Sequence, residues 1–463
     1  MEETVMNALT QEELLNLEAQ YCSYGDTVHY ADQPVIFDKC EGSWMFDMEG
    51  RPYLDMQMWY SAVNFGYRNR EIEEAHNRQM AALPQVASQY LHKEKILLAS
   101  AIAQETEKRF GEKGRIHFNV GGAQAVEDSL KLVRSHSKGK SLMFAFMGGY
   151  HGRTLAATEI TSSFRYRKRF GHFGNRATFI PFPYCYRCFY GQERGKCRYE
   201  CIRQFEKLFE TEYYGAIDLK GNEVEYAAFY VEPIQATGGY IVPPAEYFPQ
   251  LAAVLERYGI LLVDDEIQMG FYRTGKLWAM EHFGVTPDLI TFAKSLTNGL
   301  NPLSGLWAKE ALINPSVFPP GSTHSTFSSN PLGTAAGLAV MELIKKHDFE
   351  KIVSEKGAYL LKRLRDLQKR YPVIGDVDGL GLAVRIEMTK SDGFSPDRQL
   401  TDAIFQEGMK GDVEVNGERY GLVLDVGGYY KNAFTLAPAL TITYEEMDLF
   451  LLLFESLLKR CGA

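Results

Sequence analysis

Cysteine is scarce in this chain and long apolar runs are missing, and each shortage removes a class of protein. Seven cysteines among 463 residues are few and odd in number, which argues against a secreted disulfide framework. No apolar stretch approaches the roughly 20 residues that cross a bilayer, and the first residues lack the basic-then-apolar order of a secretory leader. Basic residues are outnumbered, 50 Lys and Arg against 59 Asp and Glu for a formal charge of −9, so neither nucleic acid nor an anionic membrane is an expected partner. Internal repeats and low-complexity linkers are also missing. The remaining composition, 45% hydrophobic and 24% charged, is that of an ordinary globular chain long enough for two or three domains. The cytoplasm is its expected location.

The informative stretch runs from 259 to 294. Gly259-Ile260-Leu261-Leu262-Val263 is short, apolar and partly β-branched, as a strand buried on both faces of a parallel sheet should be. Asp264-Asp265-Glu266 follow at its carboxyl edge, where open α/β sheets hold their ligands. Pro287-Asp288-Leu289-Ile290-Thr291-Phe292-Ala293-Lys294 repeats the plan, ending on a lysine. Taken alone, Asp265 is equally a strand-end cap and Lys294 a solvated lysine. Together they suit pyridoxal phosphate: a lysine amine forms a Schiff base with its aldehyde, and a carboxylate keeps its ring nitrogen protonated.

Asp265-Glu266-Ile267-Gln268-Met269-Gly270, Arg273-Thr274-Gly275 and Lys294 closely resemble the signature of the class III, or omega, aminotransferases. The resemblance covers roughly residues 30 to 455. It implies a fold type I enzyme with pyridoxal 5′-phosphate, Lys294 and Asp265 as catalytic residues, and Gln268 on the ring hydroxyl. Strand–helix alternation from Ile116 onward independently favours an α/β fold with a mostly parallel central sheet flanked by helices. The expected division is an N-terminal segment over 1–75, a large cofactor-binding domain over 76–345, and a C-terminal part over 346–463 that joins the N-terminal segment in a small α+β domain. An amphipathic helix within residues 1–30 is expected to lie on the body.

Other segments gain their meaning from the same resemblance. Gly121-Gly122-Ala123-Gln124 enters a helix whose first amides can bind phosphate; it aligns with the family's phosphate loop, followed by Glu127, Lys131 and Arg134. Gly122 and Ala123 are the implied contacts, although Ala123 stands where the family has a hydroxyl. Tyr150-His151-Gly152-Arg153-Thr154 resembles the turn whose aromatic ring stacks on the cofactor, a role implied for Tyr150. His151 is expected to be a hydrogen-bonded neighbour rather than a base. His324-Ser325-Thr326-Phe327 and Asn330-Pro331 resemble the segment whose threonine reaches the other subunit's phosphate. Thr326 would thus act across a homodimer interface; without those flanking residues it reads as a helix N-cap. Trp59 and Tyr60 are candidate walls of a substrate cavity.

Two departures from the family carry information. Many members pair an acid in E-P-[IV]-Q-G-E with a carboxylate-binding arginine near the C-terminus; here Thr237 and Thr435 occupy the two places. Losing one partner alone would strand a buried charge at a cost of about 3–5 kcal/mol, so the paired loss reads as a pocket built for a different substrate group. Arg385 or Arg419 is a possible substitute. The second departure is the cysteine island at 183–201, with Cys185 and Cys188 in a C-x-x-C pair and Cys197 and Cys201 in a looser one. Four thiolates could hold zinc or form a redox pair, but the chemistry requires no metal and none is assigned.

The expected activity is transfer of an amino group from a primary amine or omega-amino substrate to a carbonyl acceptor. A racemase or epimerase of the same family is the alternative, and a non-enzymatic scaffold using the cysteine island to bind a partner is a third.

Overall fold

A computed structural model of the chain describes residues 9–25, 29–171, 174, 177–221 and 223–463. A seven-stranded sheet lies at its centre. From one edge its strands are Gly114–Asn119, Ser304–Lys309, Leu289–Phe292, Leu261–Asp265, Tyr226–Val231, Leu142–Phe146 and Ala177–Ile180. Only Ser304–Lys309 runs against its neighbours, so the fold is α/β with a mostly parallel sheet, as the alternation of elements predicts. The inner strands are largely apolar because helices cover both faces; Leu289–Phe292, for instance, is buried at every position.

The site's geometry follows from the register of two neighbours. Leu261–Asp265 pairs in parallel with Leu289–Phe292, with Asp265 opposite Thr291. Asp265 and Lys294 therefore leave the sheet at the same edge. Pairing with Tyr226–Val231 on the other side sets Asp264 opposite Val231, so Glu232 emerges at this edge as well.

The two ends of the chain meet in smaller sheets. In a five-stranded sheet, Pro52–Asp55 pairs in parallel with Glu418–Val423. A four-stranded sheet contains Ile374–Leu380, Ala383–Met388, Ala433–Leu436 and Asp425–Gly427. Arg273 staples these parts to the large sheet. Fully buried, its guanidinium donates to Leu382 O at 3.1 Å, Pro438 O at 2.6 Å and Asn64 Oδ1 at 2.5 Å. Burial draws its pKa down to about 10, so it stays charged at neutral pH, and its donors satisfy carbonyls that would otherwise be stranded.

Gln11–Tyr21 is the expected helix, with a Thr10–Glu13 capping box; its Gln11 side chain accepts from Ile36 N and donates to Pro34 O, each at 3.4 Å, which ties it to the body, and residues 1–8 lie outside the described residues. Thr326 caps no helix: Asn330 does so for Pro331–Lys346, accepting from Gly333 N at 2.7 Å. Phe349–Arg370 is one long helix, begun by Asp348, whose side chain accepts from Lys351 N. Among the described residues no helix is long and apolar enough to cross a membrane.

Gly357 in Phe349–Arg370 sits against the carbonyl of Gly381, where a Cβ has no room. Gly357→Ala is therefore expected to destabilise the fold by about 1–3 kcal/mol, read as a lower denaturant midpoint with an unchanged slope.

Candidate active site

A cavity of about 620 Å³ opens at the sheet edge that carries Asp265 and Lys294. Of the residues singled out from sequence, Trp59, Gly122, Ala123, Tyr150, Asp265, Gln268 and Lys294 line it. Tyr60 and Thr237 line an adjoining cavity of about 530 Å³, which shares Ala236 and Gln268 with the first. Thr326 lines neither cavity within this chain and is exposed. Thr435 is buried behind the second cavity.

Asp265 is 5% exposed, and a carboxylate so placed needs a partner. His151 is that partner, its Nδ1 lying 2.7 Å from Asp265 Oδ2, while Ile267 N donates to Oδ1 at 3.2 Å. Burial opposes charge on His151, but the hydrogen bond and the charges of Asp265 and Glu232 outweigh it and raise the imidazole pKa. Glu232 supports the same corner. It accepts from Tyr150 N and Ala236 N, each at 2.6 Å, and burial beside these groups pushes its carboxyl up to about 7.

Lys294 Nζ donates to Gln268 Oε1 at 3.0 Å, and Gln268 Nε2 donates to Tyr240 Oη at 2.8 Å. The lysine pKa falls to about 8, because burial outweighs the attraction of Asp265, Glu232 and Asp425. Lys294 itself has a left-handed backbone, φ 41°, a conformation that non-glycine residues hold only when their surroundings enforce it.

The opposite wall is the N-terminus of helix Gly122–His136. Gln124 caps its own helix, its Oε1 accepting from Gly121 N at 3.0 Å. Glu127 faces away, accepting from Thr154 Oγ1 at 2.5 Å and Ala156 N at 3.0 Å. Gly152, at φ 126°, has no Cβ to collide with Ala123, whose Cβ would lie 2.7 Å away. That close approach brings the Tyr150–Arg153 turn onto the helix end.

Trp59 and Tyr60 belong to a turn the sequence did not reveal. Met58, Trp59, Tyr60 and Ser61 all have positive φ, between 45° and 62°, a short left-handed helical turn costing roughly 1–2 kcal/mol per residue. It points consecutive aromatic side chains into neighbouring cavities.

The carboxylate-binding expectations fare differently. Arg385 is opposite Thr435 in register, but it pairs with Asp376 and lies over the Tyr184 ring at 5.0 Å. Arg419 is exposed on a different sheet. Neither lines either cavity. Instead, Thr435 Oγ1 donates to Asp425 Oδ2 at 2.5 Å. Asp425 escaped the sequence reading because only the pairing of Asp425–Gly427 with Ala433–Leu436 brings it here. Glu232, by contrast, was visible in Glu232-Pro233-Ile234-Gln235. The four cysteines of the island are free, and among the described residues no three His, Cys, Asp or Glu side chains converge as a metal site.

The donor set fits pyridoxal phosphate: a partly neutral lysine, a buried carboxylate, and helix-end amides, whose N–H groups have no carbonyl in a preceding turn. The model of the Aminotransferase class-III family matches residues 27–458. The chain belongs to the class III aminotransferases. Its cofactor is pyridoxal phosphate. It is 33% identical to a leucine/methionine racemase of Thermococcus litoralis, over 95% of this chain and 94% of that one. With a probable 4-aminobutyrate aminotransferase of Bacillus subtilis it shares 32% identity, over 79% and 81% of the two chains. A pyridoxal-phosphate-bound amine transaminase from an uncultivated Pseudomonas species superposes with a TM-score of 0.84 at 26% identity, covering 94% of this chain and 97% of that one.

The Asp265–His151 pair sets a pH signature. With its folded pKa raised, His151 contributes stability that is full below the free-imidazole pKa of about 6.5 and fades as pH rises through the folded value. In Asp265→Asn the His151 ring, followed by NMR, is expected to titrate at lower pH than in the wild type, and this part of the stability profile should flatten.

Proposed function

We propose that this class III enzyme is an aminotransferase that moves the amino group of a primary amine or omega-amino substrate to a carbonyl acceptor. The observation that carries the reading is the convergence of Lys294, Asp265 and the Gly122–Ala123 helix end on one cavity. Racemases occur among its relatives, so the reaction type is what the experiment must decide.

When bound, the cofactor supplies an aldehyde for the amine and a ring that accepts electrons from the substrate carbon. Asp265 would hold a proton on the ring nitrogen, with His151 fixing the orientation of the carboxylate. Gly122 and Ala123 would donate their amides to phosphate, Tyr150 would cover the ring, and Gln268 would meet its hydroxyl. Thr326, exposed in one chain, would complete the phosphate site of a second copy in a cytoplasmic homodimer. Lys294, with a pKa of about 8, is suited to taking and returning a proton near neutral pH. Thr237, aligned by sequence with the family's switch acid, lines the adjoining cavity with an uncharged side chain and so offers no charge to a guanidinium.

The test is the absorbance of the holoenzyme mixed with amines, omega-amino acids and α-amino acids. Conversion of the cofactor to its amine form by omega-amines, but not by glutamate, supports transamination through a repurposed carboxylate site. Exchange of the substrate α-hydrogen with solvent, without that conversion, overturns it in favour of an isomerase. Lys294→Ala is expected to abolish turnover while leaving the circular dichroism spectrum unchanged. Asp265→Asn is expected to lower kcat by about a hundredfold or more.

A further inference from the structure

The second cavity is walled by charges of both signs, of which Arg165, Asp425 and Lys431 belong to no ion pair among the described residues. Arg398 is paired with Asp402 at 3.2 Å, and Arg165 donates to Tyr30 Oη at 3.4 Å. Asp425 and Lys431 remain. They flank one hairpin, Asp425 at the start of the strand Asp425–Gly427 and Lys431 in the turn before Ala433–Leu436, and both line the cavity. Among the described residues neither belongs to an ion pair. The Asp425 carboxylate accepts from Thr435, and the Lys431 ammonium has only Val426 O at 3.3 Å. Their charges nevertheless act on each other. Asp425 also acts on Lys294, whereas Lys431 does not figure among the charges acting there.

We infer that this pair is a subsite for the amino-acid end of a diamino acid: Asp425 takes the α-ammonium and Lys431 the α-carboxylate, while the distal primary amine reaches Lys294. The inference rests on the transaminase reading and names its amine donor. Where many family members hold a carboxylate with arginine, this chain presents an acceptor, Asp425, backed by Thr435. An acceptor recognises N–H donors and repels carboxylates. A carboxylate can be held only further out, by Lys431 with Arg165 and Arg398 behind it, since these cations share the same cavity. An omega-amino acid lacking the α-ammonium would leave Asp425 with neutral donors alone, Thr435 and Gln57, and a plain diamine would leave Lys431 with a neutral carbonyl alone, Val426 O. Such unmatched polar groups are a large source of discrimination.

The test compares ornithine with three molecules that each lack part of it, using holoenzyme: δ-aminovalerate, without the α-ammonium; putrescine, without the carboxylate; and pentylamine, without both. Ornithine or its homologue lysine is expected to exceed each of the three in kcat/KM by about tenfold or more, mostly through KM. Asp425→Asn, nearly isosteric, is expected to cost ornithine and putrescine about ten- to hundredfold more than δ-aminovalerate. Lys431→Met is expected to cost ornithine and δ-aminovalerate more than putrescine and pentylamine. Equal losses on all four amines, or none, overturn the subsite. Calorimetric binding of δ-hydroxynorvaline, whose reacting amine is a hydroxyl, separates the two readings. If no amine converts the cofactor yet this analogue binds and Asp425→Asn weakens it, the transaminase reading fails and the subsite stands; if it binds wild type and Asp425→Asn alike, the subsite fails.

Discussion

A carboxylate buried at a strand end is the constraint on which the rest of this site depends. Asp265 is almost fully enclosed, and within the protein His151 and the Ile267 amide supply its hydrogen bonds. His151 must then be carried on a turn that reaches over the helix end, and Gly152 is the residue that lets that turn close. Glu232 anchors the turn by its Tyr150 amide and the following loop by Ala236. One buried charge thereby fixes the relative positions of a strand, a turn and a helix N-terminus, a preorganisation from which the cofactor's electronics would benefit.

The small sheets have a different task. They bring residues from the two ends of the chain against the central edge, and Arg273 holds them there through three acceptors that lie far apart in sequence. A buried guanidinium is costly to desolvate, but each neighbour it serves is a group that would be worse off without it. The second cavity lies along this junction, walled by Tyr60 from the N-terminal part and by Asp425 and Lys431 from the C-terminal part. The central sheet carries Asp265 and Lys294, and the junction forms the cavity beside them.

This division explains what could be read from the sequence. The central strands were legible because each is a short apolar run with its functional residue at the end, and the Asp265–Lys294 relation needed only the assumption that successive strands are parallel neighbours. Gly122 and Ala123 were legible for a similar reason, since a glycine turn before an apolar-faced helix is a local pattern. Asp425 was not, because its meaning comes from cross-strand pairing with Thr435, and no local pattern encodes that. Arg385 misled for the converse reason: it occupies the right register beside Thr435, yet Asp376 and the Tyr184 ring draw its guanidinium to the other side. The left-handed turn at Met58–Ser61 was also invisible, as none of its residues favours that conformation.

That turn gives one wall of the site a mechanical character. Four successive residues held on the unfavourable side of φ keep that shape only because their surroundings over-determine it, and Met58 and Ser61 are fully buried. The wall that carries Trp59 and Tyr60 is therefore set by the packing behind it, so a change beneath the turn would reach both cavities at once.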